Sequence, residues 1–274
     1  MVFVAEEGVL DEDTYYFECC AGLGDTLLTC GYLDALQEKY QAPIRLLVKP
    51  SHAFIPEMYD IKGSWVIGQT ISAASVKKNT KSKPAKGRVY AAHPCKHPEL
   101  WNFFKPVYEY TSTIRFLTWF KRFLGIEERS KLQNPWKYPE LSKAAEDECA
   151  RFAPLDRIAV LSPEAVSVPA LPWYFWRELA DELRRKGLFV ISNVIDPQNT
   201  VFGTAYVKMS SADAVSLCMR CHSVYSIRSG LCDLIAKKGA NLHVYYPSHS
   251  AFFLYELEQM FPEIGVREHI ILPG

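Results

Sequence analysis

The stretch CCAGLGDTLLTCGYLDALQEKY (residues 19–40) decides the fold of the N-terminal half. It overlaps the end of the apolar run TYYFECC, and its glycine-rich turn leads into a segment with Leu28, Tyr32 and Leu36 at helical spacing. The next apolar run is PIRLLVK, residues 43–49. A strand, a glycine turn, a helix and a second strand in this order predict a parallel sheet covered by helices.

The same order of elements recurs in the C-terminal half. The strand-like run RIAVLS (residues 157–162) precedes a helical pattern, and the run LFVISNV follows it. That helical pattern carries Trp173, Trp176, Leu179 and Leu183. Further along, Ser210 and Asp213 have the spacing of a capping box, and the strand-like runs SVYSIR and NLHVYYP come after it. We therefore predict an α/β fold of two Rossmann-like domains, each with a parallel sheet.

A polar, proline-marked segment separates the two halves. It covers residues 128–155 and contains no strand-like apolar run. Domain boundaries fall in such segments because few contacts cross them. We predict an N-terminal domain of residues 1–140 and a C-terminal domain of residues 141–274, with a cleft between them.

The charge balance argues against a nucleic acid as ligand. The 274 residues include 31 Lys or Arg and 31 Asp or Glu, so the chain lacks the positive field with which proteins collect phosphates. Its apolar runs have the length of strands, and its N-terminal segment carries acids where a signal peptide carries bases. We expect a cytoplasmic protein without a membrane span. Cysteines inside apolar segments fit a reducing compartment.

The turn after the first strand lacks the groups of the common phosphate loops. A P-loop needs Lys and a hydroxyl residue after its last glycine, whereas Gly24 is followed by Asp25 and Thr26. A dinucleotide loop needs a third small residue and an acid after the next strand, where this chain has Leu27 and Lys49. We therefore expect neither kind of phosphate site at this turn.

Two interpretations of Asp25 remain open. A carboxylate in the first turn of a helix stays ionised at the positive end of the helix dipole, and it can simply cap the helix. It can equally act as a general base above a cleft, with Gly22 and Gly24 letting a substrate approach the backbone.

The C-terminal half offers a candidate anion site. A strand ends at Arg228 and a helix begins near Ser229 and Gly230, so backbone N–H groups and a guanidinium converge on one point. Ser162 ends the run RIAVLS at the same carboxyl edge, where parallel sheets bind their ligands. This half is therefore expected to bind a diphosphate.

Three stretches resemble one family of glycosyltransferases. GLGDTLLTCGYLDALQEKY is similar to the N-terminal signature of the ADP-heptose heptosyltransferase group of GT-B glycosyltransferases. LSPEAVSVPALPWYFWRELADELRRKG resembles the loop and the Trp-Pro helix of that family's nucleotide domain. SIRSGLCDLIAKKGANLHVYYP resembles its Ser-Gly helix entry and the strand that follows. The three stretches occur in the family's order.

The resemblance implies roles for individual residues. Asp25 matches the proposed catalytic base of the family. Ser229 and Gly230 match its backbone site for the donor diphosphate. The Lys that the family has before its Trp-Pro pair is absent from ALPWYFW, so the positive charge is expected from Arg177 or Arg228.

The function implied by this resemblance is sugar transfer. A nucleotide-diphosphate sugar on the C-terminal domain would donate its sugar, with inversion, to a saccharide or glycolipid acceptor on the N-terminal domain. No metal or other cofactor is expected, because Arg228 and the helix N-terminus would stabilise the departing diphosphate. A place in lipopolysaccharide or polysaccharide assembly, with peripheral contact at the inner membrane surface, is implied as well.

Two other functions fit the same residues. A sugar-nucleotide epimerase of the non-hydrolysing type is one, although it calls for several acid and base groups and Asp25 supplies only one. The other is a non-catalytic nucleotide- or carbohydrate-binding protein, perhaps the partner subunit of a transferase. The missing Lys and the short chain fit this second alternative.

The segment HPCKHPELWNFFKPVYEY (residues 93–110) combines His93 and His97 with a dense set of aromatic residues. Aromatic faces and imidazole donors suit a sugar acceptor, because sugars present apolar C–H faces beside their hydroxyl groups. A core-facing aromatic loop and helix explain the same pattern. His93 and His97 are therefore acceptor candidates.

Four remaining patterns have structural explanations. The acidic triplet at residues 11–13 predicts a solvated turn rather than a metal site. Cys218 and Cys221 lie in an apolar helical pattern without a second pair at zinc spacing, so we expect core cysteines. The basic residues 76–88 predict a solvated loop, with an anionic surface as the alternative. The run HSAFFLYELEQMF (residues 249–261) predicts an amphipathic helix.

Overall fold

The computed structural model describes residues 10–19, 21–93, 97, 115–166, 168–236, 241–261 and 266–271. The chain divides into two compact units, Met1–Lys137 and Tyr138–Gly274. Each unit contains its own parallel sheet, as the sequence predicts.

The first unit is built on five described strands. They are β1 (Tyr15–Cys19), β2 (Ile44–Val48), β3 (Trp65–Val66), β4 (Thr80–Lys81) and β5 (Val89–Ala91). The strand order across the sheet is β3-β2-β1-β5-β4, and every pairing is parallel. Strands β3, β4 and β5 have no counterpart in the sequence prediction, because two or three residues are too short to show alternation.

Five described helices accompany this sheet. They are α1 (Leu23–Gly31), α2 (Leu33–Tyr40), α3 (Phe54–Met58), α4 (Ala73–Asn79) and α5 (Phe116–Leu124). The central strand β1 buries Tyr16 and Phe17 on its two faces, as expected for a strand covered on both sides. The core on one side joins Tyr16 to Leu47 and Val89 of the neighbouring strands.

The single helix predicted after the glycine turn is divided at Tyr32. The backbone of Tyr32 leaves helical geometry, and α1 and α2 meet there. The Gln133 amide donates to the Gly31 carbonyl at 2.9 Å, and a Cβ on Gly31 would lie 2.5 Å from the Leu132 side chain. A distant segment therefore crosses the chain at this glycine, which no local pattern could predict.

The basic segment is only partly a loop. Residues up to Asn79 belong to α4, and Thr80 and Lys81 form β4. Ser72 caps α4 by accepting a hydrogen bond from the Ser75 amide at 3.1 Å. The prediction of an unstructured insertion was therefore wrong for residues 76–81, while the lysines themselves are exposed.

The second unit is built on six described strands. They are β6 (Ile158–Ser162), β7 (Phe189–Ser192), β8 (Ala205–Tyr206), β9 (Ser223–Ile227), β10 (Leu242–Tyr246) and β11 (Arg267–Ile270). The strand order is β11-β10-β9-β6-β7-β8, and all pairings are parallel. All residues of β6 are buried, so the run IAVLS reads as continuously apolar up to its last residue.

Six described helices accompany the second sheet. They are α6 (Lys143–Ala150), α7 (Trp173–Arg185), α8 (Ser211–Arg220), α9 (Gly230–Ile235), α10 (His249–Tyr255) and α11 (Leu257–Met260). The buried stripe of α7 consists of Trp176, Ala180 and Leu183, whereas Trp173 is exposed. The helix predicted for residues 249–261 is divided at Glu256, which has extended rather than helical backbone angles.

No described helix of the chain is both long enough and apolar enough to cross a lipid bilayer.

The predicted capping box at the start of α8 is present. The Ser210 hydroxyl oxygen accepts a hydrogen bond from the Asp213 amide at 3.0 Å, and the hydroxyl donates to the Asp213 carboxylate at 2.8 Å. Asp213 also accepts from the Ser142 amide at 2.8 Å, so the cap joins α8 to the start of α6.

We expect Ser210→Ala to lower the free energy of unfolding by about 1 kcal/mol, because an amide in the first turn of α8 loses its acceptor. Ser211→Ala is the matched control, since the Ser211 side chain forms no hydrogen bond with the described residues. Urea denaturation of the two variants and the wild type measures the difference. Equal losses in both variants would contradict the capping role.

Candidate functional site

The turn between β1 and α1 brings a carboxylate against the backbone. Gly22 precedes the helix with extended backbone angles, and its carbonyl accepts from the Thr26 amide at 3.1 Å. A Cβ on Gly22 would lie 3.0 Å from Oδ2 of Asp25. A larger residue at position 22 would therefore shift the carboxylate by a few tenths of an ångström, while Gly24 is buried inside the first turn.

Asp25 meets His93 at the carboxyl edge of the first sheet. Oδ1 of Asp25 lies 3.5 Å from Nε2 of His93, and the two side chains are 15% and 18% exposed. His93 follows β5 by two residues, and β5 is the direct neighbour of β1. The sequence offered both residues as candidates without linking them; parallel pairing of their strands brings them together.

A buried hydrogen-bond network connects this turn to the end of β1 and to His52. Oγ1 of Thr26 lies 2.8 Å from the Cys19 carbonyl oxygen, 3.0 Å from that of Gly22 and 2.9 Å from Nδ1 of His52. Burial and the nearby Lys49 ammonium lower the pKa of His52, so its imidazole is neutral at pH 7. Thr26 and His52 therefore hold the turn in place.

Sequence reasoning missed Thr26 and His52 as supporting residues. Thr26 directly follows Asp25, and His52 lies four positions beyond the end of β2. The position of His52 after a strand at the same sheet edge is a signal that could have identified it, because parallel strands end together.

His97 lies elsewhere in the first unit. It is buried, its Nε2 lies 2.8 Å from the Ala91 carbonyl oxygen, and its ring stacks on that of Tyr90 at 4.7 Å between centroids. The Phe123 ring is tilted against that of His97, with 5.3 Å between the two centroids. The structure thus places His97 in the aromatic core and His93 beside Asp25. The rest of the aromatic segment, residues 94–96 and 98–110, lies outside the described residues.

In the second unit, Ser162 lies at the carboxyl end of β6, where it is buried. Its hydroxyl oxygen accepts from the side-chain Nδ2 of Asn193 at 3.2 Å. The backbone N–H of Asn193 donates to the Leu161 carbonyl at 2.7 Å. Asn193 follows β7 directly. Ser162 and Asn193 therefore join the ends of two neighbouring strands at the sheet edge.

Arg228 follows β9 and is only 4% exposed. Its Nη2 donates to Oδ1 of Asp233 at 2.7 Å, its Nη1 to the Ser229 carbonyl at 2.7 Å, and its Nε to the Tyr255 carbonyl at 2.8 Å. Nη2 also lies 3.3 Å from the sulfur of Met260. Burial opposes the charge of the guanidinium, but Asp233, Tyr246 and Cys232 together outweigh it, so the pKa of Arg228 lies above its ordinary value.

These contacts give Arg228 a different position from the one expected of a diphosphate ligand. The guanidinium is directed to groups of the protein and connects β9, α9 and the C-terminal helices α10 and α11. Ser229 caps α9 without a side-chain hydrogen bond to the backbone, and its hydroxyl lies 3.8 Å from Sγ of Cys232. Arg228 therefore orients the Ser229–Gly230 turn from within the protein.

Arg177 is separate from these groups. It lies on the exposed side of α7, away from the buried stripe of that helix, and lines an open groove with Trp173 and Tyr174. The residues at the sheet edge are buried. Arg228 does not line that groove and its hydrogen bonds do not include Arg177, so the two arginines have different surroundings.

The remaining candidate metal and thiol groups have local roles. Asp11 accepts hydrogen bonds from the Asp13 amide at 2.9 Å and the Thr14 hydroxyl at 3.0 Å, which makes the acidic triplet a turn. The carboxylates of Glu256, Glu258 and Glu268 lie close together. Glu268, however, accepts from the Leu257 and Glu258 amides at 2.9 and 3.3 Å, and so caps α11.

Cys218 is a core cysteine, as predicted. It is buried in α8, and this burial raises the pKa of its thiol well above the ordinary value. The Cys221 thiol is also shifted upward, to a pKa of about 12, by burial. Both thiols are therefore protonated at pH 7, the form that neither attacks nor binds metals readily.

We expect Arg228→Met to lower the free energy of unfolding by about 3–5 kcal/mol, because it leaves the Asp233 carboxylate buried and unpaired. Arg220→Met is the control: Arg220 pairs with Glu146 at 3.2 Å on the surface, and its loss should cost less than about 1 kcal/mol. Thermal and urea unfolding compare the two variants. Similar small losses in both would overturn the buried role of Arg228.

No family model matches the chain, and no curated protein matches it by sequence. Solved structures match it by fold. A glycosyl transferase family 9 protein from Veillonella parvula is 15% identical, with 97% of this chain and 89% of that one covered and a TM-score of 0.58. The ADP-heptose lps heptosyltransferase II of E. coli is 15% identical, with coverages of 93% and 89% and a TM-score of 0.54.

A third similar structure is the heptosyltransferase TibC from enterotoxigenic E. coli, described as dodecameric and iron-containing and solved with ADP-D-beta-D-heptose. It is 11% identical, with 90% of this chain and 63% of that one covered and a TM-score of 0.52. At these identities the likeness concerns the fold. The resemblance read from the sequence is thereby confirmed at that level: the chain has the α/β fold with parallel sheets of these glycosyltransferases.

Proposed function

We propose that the protein is a metal-independent, inverting glycosyltransferase. It moves a sugar from a nucleotide-diphosphate sugar to a saccharide or glycolipid acceptor. The observation that carries this proposal is the partly exposed Asp25 carboxylate beside His93 at the carboxyl edge of a parallel sheet, in a fold shared with glycosyltransferases.

In this proposal Asp25 is the general base. It removes the proton of the acceptor hydroxyl while that oxygen forms a bond to the anomeric carbon. The bond from the anomeric carbon to the diphosphate breaks, and the diphosphate leaves with the electron pair. A single displacement of this kind inverts the anomeric centre. The position in the first turn of α1 favours the ionised form of Asp25 that the reaction needs.

His93 is a positioning or acceptor-contact residue in this scheme. Its ring nitrogen lies beside the carboxylate, within reach of any hydroxyl that approaches Asp25. Gly22 and Gly24 leave the turn without side chains that would obstruct an acceptor.

The donor diphosphate is assigned to the second unit, at Ser229 and Gly230, with Ser162 at the same sheet edge. Arg228 is a positioning residue for that turn, since its donors go to the Ser229 carbonyl and to Asp233. Residues 1–140 would then be the acceptor-side domain and residues 141–274 the donor domain. The ADP-heptose bound by TibC favours an ADP-sugar as the first donor to test.

We also propose a cytoplasmic location with peripheral contact at the inner membrane surface. Exposed basic side chains support this contact because anionic lipid headgroups attract such clusters. They are Lys77, Lys78, Lys81, Lys83, Lys86 and Arg88.

A titration with ADP, UDP, GDP, CMP and TDP, each in magnesium and in EDTA, tests the donor site. We expect one diphosphate to bind with the same affinity in both solutions, because backbone N–H groups rather than a cation hold it. Calorimetry measures the affinities. No binding by any nucleotide, or binding only with magnesium, would contradict the proposed site.

We expect Asp25→Asn to reduce turnover about 10²- to 10⁴-fold while nucleotide binding stays unchanged, because a general base is lost and the donor site is not touched. Asp34→Asn is the matched control, since Asp34 is also an acid in the first turn of a helix but is exposed on α2. Turnover is measured as release of nucleoside diphosphate from the nucleotide sugar that binds best.

The same pair of variants separates the alternatives. Equal turnover in Asp25→Asn, Asp34→Asn and the wild type would make Asp25 a helix cap. Nucleotide binding by a protein that never transfers sugar would favour the non-catalytic binding protein.

A further inference from the structure

An open groove on the second unit combines exposed aromatic rings with polar groups. Its volume is about 390 Å³, and one wall is formed by α7 and the other by the loop between β7 and β8. Trp173, Tyr174 and Arg177 contribute from the helix, and Gln198, Asn199 and Phe202 from the loop. The volume lies within the range of small-molecule sites.

The three rings are unusually exposed. Trp173, Tyr174 and Phe202 are 51%, 58% and 81% exposed. Aromatic rings of this size are normally buried, and a cluster of exposed ones marks a binding surface. Because the rings remain open to water, a ligand on them would stay solvated on one side, as a saccharide chain lying along the surface does.

The loop wall is held in place by hydrogen bonds to residues that do not line the groove. Asn199 donates to Oε1 of Glu164 at 2.6 Å, and the other oxygen of Glu164 accepts from the Ile195 amide at 2.8 Å. Nη1 of Arg184 donates to the Gly203 carbonyl at 2.8 Å. A wall fixed in this way loses little conformational entropy when a ligand binds.

The polar groups of the groove favour an anionic partner. Among the described residues, Arg177 is the one charged residue that lines the groove, and it forms neither an ion pair nor a hydrogen bond with any of them. The Gln198 amide group is equally without a described side-chain partner. The indole N–H of Trp173 and the Arg177 guanidinium can only donate, so these two groups favour a ligand that offers acceptor oxygens.

We propose that this groove binds a saccharide that carries a carboxylate or phosphate group. The rings of Trp173, Tyr174 and Phe202 would pack against the C–H faces of the sugars, Gln198 and Asn199 would bind hydroxyl groups, and Arg177 would pair with the acid. Neither Asp25 nor the residues of the donor turn are among those that line the groove, and the binding requires neither donor nor turnover.

The test is calorimetric titration of the full chain with trigalacturonate, its neutral methyl ester, glucose 6-phosphate and UMP. We expect trigalacturonate to bind at least about tenfold more tightly than its ester, because Arg177 forms a charge-assisted hydrogen bond only with the acid. Trp173→Ala should weaken binding of both trisaccharides, and Arg177→Gln should remove the preference for the acid. Glucose 6-phosphate shows whether phosphate replaces carboxylate.

Two variants serve as matched controls. Trp136→Ala removes a tryptophan that is 82% exposed on the first unit, and Arg185→Gln removes an exposed arginine of α7 that does not line the groove. All four altered side chains are exposed, so the variants should fold, which thermal unfolding checks.

Three outcomes would overturn the proposal. They are no binding of any acidic sugar at millimolar concentration, equal losses in the groove and control variants, and tighter binding of UMP than of the sugars in a Trp173-dependent way. The last outcome would make the groove a nucleotide site. Since the titration contains no sugar donor, its failure leaves the transfer proposal standing, and a failure of transfer leaves the groove proposal standing.

Discussion

The parallel pairing of β1 with β5 is the constraint on which the first unit's candidate site depends. Because parallel strands end at the same edge, the turn after β1 and the residues after β5 come together there. Asp25 and His93 are 68 positions apart in sequence but lie 3.5 Å apart in space. Thr26 and His52 extend the arrangement to the end of β2, so three neighbouring strand ends hold one turn.

The second unit is organised around a buried charge in a comparable way. Arg228 follows the central strand β9 and connects it to α9, through Asp233, and to α10, through the Tyr255 carbonyl. Because its guanidinium donates to several protein acceptors, Arg228 rigidifies the turn at Ser229. The same hydrogen bonds and the Asp233 carboxylate compensate for burying the charge. Because the Arg228 guanidinium is directed into the protein, it is not exposed to an anionic ligand. Arg177, in contrast, is an exposed cation that lines the groove.

The two arginines illustrate the limit of reasoning by position along the chain. Arg228 follows a strand, as expected of an anion site, whereas Arg177 was a candidate because the resemblance to the family requires a positive charge in place of the missing Lys. Their burial differs because Arg177 is rotated by about 100° around α7 from the buried Trp176 and is exposed, whereas Arg228 is buried and faces Asp233, five residues later. Trp173 lies on the same side of α7 as Trp176 but is its first residue, and it is exposed although the apolar pattern alone had placed it with the core residues.

Sequence by itself determined the strands β1, β2, β6, β7, β9 and β10, the parallel sheets, the capped start of α8 and the likeness to a family of glycosyltransferases. These features depend on local propensity and apolar periodicity, which act over a few residues. Tertiary structure decided the break at Tyr32, the short edge strands, the contact of Asp25 with His93 and the inward direction of Arg228. Those depend on groups that are distant in sequence, and no periodicity encodes which of them meet.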